Sequence, residues 1–172
     1  MASDRLFLAV LPPPDVSVHI ADLARRLRIG HELNGKPLEA AHFHITLYPV
    51  AEGAEFRPDV VSQVTERAAA VPMPAFKVAF DRVMSFRNGA FVLRGDDSTI
   101  GLEVLQQRLS DALDDSPGPA RRFTPHLTLL RDRHIVPEHD IEPIEWTVNE
   151  ITLVHSLVGK ATHRHLARLP LG

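Results

Sequence analysis

The pattern His-(Ile or Leu)-Thr-Leu occurs twice in the chain, at residues 44–47 and 126–129. Side chains alternate between the two faces of a β-strand, so the first and third residues of each pattern share one face. A strand with this pattern buries two aliphatic side chains on one side and presents an imidazole and a hydroxyl on the other. The chain is therefore expected to form two half-buried strands, one in each half of the sequence, that carry the same polar pair.

The other periodicities predict helices and strands in an irregular order. Helical spacing of apolar residues predicts helices over residues 15–29 and 59–71 and a third helix that Ser98 caps. Strand-like runs cover residues 5–11, 44–50, 75–86, 89–94, 126–131, 146–158 and 162–169. Asn88-Gly89 lies between two of these runs and favours a tight hairpin turn.

This order of elements bounds the fold class. The strands are not joined by regular helical crossovers, which argues against a Rossmann-like parallel sheet. We expect an α+β fold with two similar lobes, whose antiparallel sheets line a central cleft while the helices lie outside. Residues 1–172 are expected to form a single bilobal domain, to which each lobe contributes one of the two motif strands.

Composition excludes several functional classes. The chain has no cysteine, which excludes disulfides and thiolate metal sites and fits a reducing cytoplasm. The apolar run Leu6–Leu11 is too short for a signal peptide or a membrane span, so we expect a cytoplasmic protein without a membrane partner. Proteins that bind long double-stranded nucleic acid usually carry a strong excess of positive charge, whereas this chain has a net charge of −3. If the chain acts on nucleic acid, it is expected to handle a terminus or a short piece.

The repeated polar pair suits phosphodiester chemistry. If the two motif strands flank one cleft, His44, His126, Thr46 and Thr128 converge there. One neutral imidazole can then accept a proton from an attacking hydroxyl or water, while the other, protonated, donates one to the departing oxygen. The two threonine hydroxyls can donate hydrogen bonds to the non-bridging phosphate oxygens. This scheme needs neither a metal nor a cofactor.

With their surroundings, the motifs resemble those of the two-histidine (2H) phosphoesterases, specifically the LigT-like RNA 2′,3′-cyclic phosphodiesterases once called 2′-5′ RNA ligases. The resemblance runs almost from end to end. It is carried by the segments RLFLAVLPP, GKPLEAAHFHITL, VMSFRNGAFVLRG, FTPHLTLLRD and ITLVHSLVGKATHRHL. The second motif is the most specific, because it includes the proline before its histidine and the arginine after it.

The resemblance implies a pseudo-twofold, two-lobed fold and hydrolysis of a terminal 2′,3′-cyclic phosphate to a 2′-phosphate. Carried onto this chain, it makes His44 the proton donor to the 3′ oxygen and His126 the acceptor that activates water. Thr46 and Thr128 would hold the phosphate, and the resemblance favours phosphate binding by Arg131 over a surface ion pair with Asp132. The partners would be RNA 3′ ends or small cyclic nucleotides, and a monomer suffices. Attack by a 5′ hydroxyl, giving a 2′-5′ linkage without ATP, is permitted by the same groups.

Two departures from the family pattern concern recognition of the base. Family members often carry an aromatic residue in the last strand, where this chain has His163 or His165. The first motif continues with Tyr48-Pro49, which the family pattern does not predict. Phe123 could stack on a base, although a core position is the more common fate of such an aromatic.

Other readings remain open at this level. His42 with His44, and His163 with His165, are pairs that can bind zinc or nickel, which allows a metalloenzyme. A related enzyme could act on a small nucleotide such as an ADP-ribose cyclic phosphate, and a non-catalytic protein could bind RNA ends without turnover. Basic residues in several segments could rim the cleft and attract RNA, or be ordinary surface charges. They are Arg121, Arg122, Lys160, Arg164 and Arg168.

Overall fold

A computed structural model describes residues 3–53, 55–114, 123–157, 159 and 162–172. Within these ranges the chain forms eight strands and three α-helices. The strands are β1 (Asp4–Val10), β2 (Ile45–Gly53), β3 (Phe76–Ser85), β4 (Ala90–Arg94), β5 (Leu127–Arg131), β6 (His139–Val148), β7 (Glu150–Leu157) and β8 (Thr162–Pro170). The helices are α1 (Pro14–Gly30), α2 (Pro58–Ala69) and α3 (Ile100–Leu113).

The strands form two four-stranded sheets, each antiparallel throughout. One has the order β2-β1-β7-β8 and the other the order β5-β4-β3-β6. The α+β fold with antiparallel sheets is therefore confirmed. The first sheet joins the two ends of the chain, and the second is built from its middle. The two motif strands, β2 and β5, are each an edge strand of their sheet, and they contact one another.

One continuous hydrophobic core joins both sheets. Leu6 and Leu8 of β1 pack in the same cluster as Leu105 of α3 and as Phe91 of β4. The intervening residue of β1, Phe7, points to the opposite face, where it forms a small separate cluster. Alternation along β1 thus divides the first sheet into a core face and a second face, which lines the cavity described below.

The hairpin between β3 and β4 turns where the sequence predicts it. Gly89 has a φ of 92°, a left-handed value that favours glycine, and the Asn88 side chain accepts a hydrogen bond from the backbone N–H of Ala90. The helix predicted over residues 15–29 is also present, as α1, in which Gly30 is the last residue and His31 forms the C-cap.

Two predictions about elements were wrong. Residues 146–158 were expected to form one strand, but Trp146 lies near the end of β6 of one sheet while Glu150 begins β7 of the other. The chain changes sheet at Asn149, because β6 pairs with β3 and β7 pairs with β1. Ser98 does not cap α3, since its hydroxyl donates instead to the carbonyl oxygen of Ala79 on β3.

None of the helices in the described ranges is long and apolar enough to cross a bilayer.

Candidate active site

The two motif histidines precede the edge strands β2 and β5 by one residue. His44 stands immediately before Ile45, and His126 immediately before Leu127. In each strand the motif aliphatics are fully buried, whereas the threonine is only half-buried. The alternation expected from the sequence therefore directs His44, Thr46, His126 and Thr128 away from the core.

These four side chains line one cavity of about 510 Å³, and Arg131 lines it as well. All five residues that the sequence analysis assigned to catalysis or phosphate binding thus line one cavity, to which both sheets contribute. The remaining lining residues come from strands of the first sheet and from the loop that precedes β2. They are Arg5, Leu6, Phe7, Leu38, Pro49, Val50, Ala51, Glu52, Ser156 and His163.

Both imidazoles are oriented by the same kind of hydrogen bond. His44 Nδ1 donates to the carbonyl oxygen of His42 at 2.8 Å, and His126 Nδ1 donates to the carbonyl oxygen of Thr124 at 2.7 Å. A carbonyl oxygen only accepts, so each Nδ1 carries a proton in both charge states of its ring. Nε2 is then the atom that gains or loses a proton, as an acid or a base requires.

Burial lowers the pKa of both histidines from the ordinary value. For His44 the desolvation of the charged ring is the main cause, the hydrogen bond to the His42 carbonyl opposes it, and the charge of His126 adds to it. For His126 desolvation again dominates, the hydrogen bond to the Thr124 carbonyl opposes it, and two guanidinium groups, those of Arg94 and Arg131, lower the pKa further.

Arg94 is the neighbour of His126 across the β4–β5 ladder. Leu93 is paired with Leu127, so the next position outward brings Arg94 opposite His126. The Arg94 Nε atom is buried and, among the described residues, has no hydrogen-bond acceptor. Sequence reasoning did not single out this residue, because only the register of the second sheet brings it beside the histidine.

A bulge in β5 explains why Arg131 lines the cavity. In a regular strand, residues five apart point to opposite faces, and Arg131 is five residues after His126. The pairing with β4 shifts by one between Thr128 and Leu130, so Leu129 and Leu130 are both buried and Arg131 is turned outward. This irregularity places Arg131 at the cavity that the two motif histidines line.

Asp132 does not pair with Arg131. Its carboxylate accepts hydrogen bonds from the backbone N–H groups of His134, Gly35 and Asn34, which lower the pKa of this carboxyl. The last two bonds tie the loop that leads toward His44 to the end of β5. A side chain at Gly35 would collide with the carbonyl oxygen of Arg131, so this close approach requires glycine.

His163 on β8 is the third histidine of the cavity. Its ring lies edge-on to His44, with 5.4 Å between centroids, and 4.6 Å from the ring of His42. Burial, followed by the charges of His44 and His42, lowers the pKa of His163 to about 4. The sequence left open whether His163 or His165 takes the place of the family aromatic, and the structure puts His163 in the cavity.

Aromatic rings pack on both motif histidines. Phe7 lies 5.0 Å from the ring of His44, and Phe86 lies edge-on to His126 at 4.9 Å. Phe123, considered as a base-stacking residue, instead packs against the core and lines a different cavity. Of the motif's unusual Tyr48-Pro49 pair, Pro49 lines the cavity, whereas Tyr48 donates a hydrogen bond to Asp114 at the end of α3.

Two of the five basic residues considered for the rim lie in the described part of the chain. Arg164 and Arg168 are exposed on β8 and do not line the cavity of the motif histidines. Arg121, Arg122 and Lys160 lie outside the described residues. Within the described part of the chain, no group of three or more His, Asp or Glu residues is arranged to hold a metal ion.

Comparisons with known proteins agree with this architecture. The model of the 2′-5′ RNA ligase superfamily matches residues 12–160. Escherichia coli LigT complexed with phosphate is 25% identical, with a TM-score of 0.76 over 99% of each chain. LigT complexed with 3′-AMP is 26% identical, with the same TM-score over 98% of each chain. The protein TT0787 of Thermus thermophilus, at 21% identity over 97% of each chain and a TM-score of 0.71, shares the fold.

A search of curated proteins gave no match. The family model nevertheless covers most of the chain, including both motif strands. The chain belongs to the 2′-5′ RNA ligase superfamily of two-histidine phosphoesterases.

Proposed function

We propose that the chain hydrolyses 2′,3′-cyclic phosphate ends of RNA to 2′-phosphates, with His44 and His126 as an acid–base pair. The observation that carries the proposal is the shared orientation of the two imidazoles. Each Nδ1 is held by a backbone carbonyl, which leaves two Nε2 atoms to serve one cavity together with two threonine hydroxyls. Such a pair can move two protons in one displacement at phosphorus.

The step balances without a cofactor. His126, neutral, takes a proton from water through Nε2 while the water oxygen forms a bond to phosphorus. The bond from phosphorus to the 3′ oxygen breaks, and His44, protonated, gives its Nε2 proton to that oxygen. The products are a 2′-phosphate and a 3′ hydroxyl, and the two histidines return to their starting states by exchanging protons with solvent.

Thr46, Thr128 and Arg131 would hold the phosphate during this step. Two hydroxyls can donate to the non-bridging oxygens, one from each sheet, and the guanidinium can form charge-assisted bonds to the same oxygens. Arg131 lines the cavity, and the carboxylate of Asp132 is bonded to backbone N–H groups, so the guanidinium can serve an anion.

The surroundings of the two histidines support this division of roles. His126 lies near two guanidinium groups, which lower its pKa and favour the neutral form that a base needs. His44, by contrast, is affected by one guanidinium, that of Arg5. Its contribution is the smallest of the causes that shift the pKa of His44. A bound phosphate, which adds negative charge, favours the protonated form that His44 needs as an acid.

Two further activities fit the same groups. If a 5′ hydroxyl replaces water, the product is a 2′-5′ linkage, and no ATP is consumed because the strained cyclic ester supplies the free energy. A small cyclic nucleotide, such as an ADP-ribose cyclic phosphate, is the second candidate substrate. The observations that favour it are the net charge of −3 and the nucleotides, 3′-AMP, ATP and NADP⁺, found in complexes of LigT.

The test is hydrolysis of a short RNA that ends in a 2′,3′-cyclic phosphate, with EDTA present. Wild type should yield the 2′-phosphate, and His44→Ala and His126→Ala should each be slower by about 10²–10⁴-fold while remaining folded. Loss of wild-type activity in EDTA would point to a metalloenzyme. Binding of the RNA without any product would make the chain an end-binding protein and overturn the proposal.

A further inference from the structure

A second cavity, of about 620 Å³, lies beside the candidate active site on the same sheet. Its walls are largely apolar and include Leu11, Pro13 and Phe43. Its polar groups come mostly from the last strands of the chain and include His165 and Arg168. None of the five residues proposed above for catalysis or phosphate binding lines this cavity, so the proposed chemistry leaves it unused.

We propose that this second cavity binds the nucleotide on the 5′ side of the one that bears the cyclic phosphate. The inference rests on the proposed function and deepens it, because it names RNA ends, rather than mononucleotides, as the preferred substrate class. Arg168 would contact the phosphodiester between the two nucleotides, and the apolar walls would take the second base.

The register of the first sheet connects the two cavities. Ser156 pairs with His163, and both line the candidate active site. Two positions further, Val154 pairs with His165, which lines the second cavity. Residues directly opposite one another share a face, so His163 and His165 point the same way, about 7 Å apart along β8. An extended single strand can span that distance within one nucleotide.

An apolar strip on the same face lies between the cavities. Phe7, Ala9 and Val154 form one small cluster, against which Leu11 packs. Phe7 lines the candidate active site and Leu11 lines the second cavity, so the strip has one end in each. The rings of His42 and His163, 4.6 Å apart, stand at the active-site end. The RNA chain would cross this imidazole pair on its way from one cavity to the other.

The charged residues that line the second cavity are Arg168 and Glu150, and the proposal assigns the phosphodiester to Arg168. Arg168 is exposed, and its only ion pair among the described residues is a 3.9 Å contact with Glu150. Surface pairs of this kind contribute little, so the guanidinium can exchange Glu150 for a phosphate at small cost. His165 Nδ1 lies 3.5 Å from an Arg168 Nη atom. Burial, followed by the charge of Arg168, lowers the pKa of His165 and so favours the neutral ring.

The proposed chemistry also requires the RNA to run from the candidate active site toward the second cavity. The leaving 3′ oxygen must lie near His44, whereas water attacks from the side of His126. The ribose and everything 5′ of it therefore lie over the first sheet, which carries His163, His165 and Arg168. The second cavity is the recess that the chain meets there.

The experiment compares substrate length with charge removal. Values of kcat/KM are measured for a mononucleoside 2′,3′-cyclic phosphate and for a dinucleotide and a trinucleotide with the same end. Wild type should prefer the dinucleotide by about tenfold, with little further gain for the trinucleotide. Arg168→Gln should remove most of that preference and leave the mononucleotide unchanged. Arg164→Gln is the matched control, because Arg164 is exposed on the same strand but lines neither cavity.

The outcomes separate this inference from the proposed function. If kcat/KM is equal for all three substrates, or if the two arginine variants have equal effects, the second cavity does not bind the 5′ nucleotide. Hydrolysis of the cyclic phosphate is unaffected by that result. If no substrate is turned over, the proposed function fails, and the cavity is tested by fluorescence anisotropy with a labelled trinucleotide that carries a 2′-phosphate. Weaker binding by Arg168→Gln than by Arg164→Gln then supports the cavity, and indistinguishable binding rejects it.

Discussion

His44 and His126 are held in the same way, each by a hydrogen bond from Nδ1 to the carbonyl oxygen two residues earlier in the chain. The bond fixes both the tautomer and the ring orientation, as a hydrogen-bonded second nitrogen does for functional histidines generally. What differs between the two sites is the charge around them. His126 lies beside Arg94 and Arg131, whereas His44 lies among the rings of Phe7 and His163.

The proposed roles of the two histidines, acid for His44 and base for His126, can be distinguished by changing the leaving group. A nitrophenyl phosphodiester releases an anion that needs no proton, so a general acid gains nothing there. His44→Ala should lose about 10²–10⁴-fold on an RNA cyclic phosphate but less than about tenfold on the nitrophenyl ester. His126→Ala should be severely impaired on both. Initial rates with both substrates measure this, and equal losses for His44→Ala on the two esters would contradict its role as the acid.

The pH dependence of kcat/KM should be bell-shaped, with its maximum below about pH 6.5, the ordinary histidine pKa. The base must be neutral, so activity rises with pH through the pKa of His126. The acid must be protonated, so activity falls through the pKa of His44. Both pKa values are lowered, which moves both limbs to acid pH. In kcat the falling limb should lie at higher pH, because the bound phosphate stabilises the protonated ring. A kcat/KM that stays level up to about pH 8 would argue against the pair.

Arg94 should act on the rising limb of that profile. Its guanidinium lowers the pKa of His126, so Arg94→Gln should move the rising limb of kcat/KM to higher pH, while Arg94→Lys keeps the charge and should largely restore it. A purely structural role for Arg94 would lower activity at every pH without moving the limb. The full profiles of the two variants, measured beside wild type, distinguish these cases.

His163 should make the protein sensitive to acid. Its pKa is lowered to about 4 in the folded chain, whereas the unfolded chain has the ordinary value near 6.5. The unfolded state therefore binds more protons between these values. The stability that comes from a neutral His163 is complete above about pH 6.5 and is lost as the pH falls through about 4.

His163→Gln should remove this contribution, so the Tm of the variant should fall less than that of wild type between about pH 7 and about pH 4. Thermal unfolding followed by circular dichroism at several pH values measures the difference. His19→Gln, which changes an exposed histidine of α1, should keep the wild-type slope. If the Tm of all three proteins falls by the same amount over this range, the half-buried imidazole of His163 is not the cause.

The sequence predicted which side chains meet in one cavity better than it predicted which segments belong to which sheet. Strict alternation around His44 and His126 was enough to put both imidazoles and both threonines on the polar side of their strands. The bulge at Leu129 could not be predicted from the sequence, because an extra residue in one strand is defined only by the pairing with its partner strand. The separation of Trp146 and Glu150 into different sheets was missed for the same reason, since both segments have strand-like composition and only long-range pairing divides them. Arg94 reaches the site region through a pairing that local patterns do not encode.

Gly35 should be far less tolerant of substitution than Gly30, although both lie close together in the sequence. A methyl group at Gly35 would overlap the carbonyl oxygen of Arg131, so Gly35→Ala must push the loop away from the end of β5 and weaken its bonds to Asp132. We expect a loss of about 1–3 kcal/mol of unfolding free energy and a raised KM, because Arg131 moves with that backbone. At Gly30 a methyl group would meet no atom within 4 Å, and alanine favours the helix that ends there. Gly30→Ala should therefore leave the unfolding free energy unchanged or raise it by up to about 1 kcal/mol. Urea unfolding and steady-state kinetics of both variants measure this contrast. Equal stability of the two would mean that the loop does not depend on its close approach to the strand that carries Arg131.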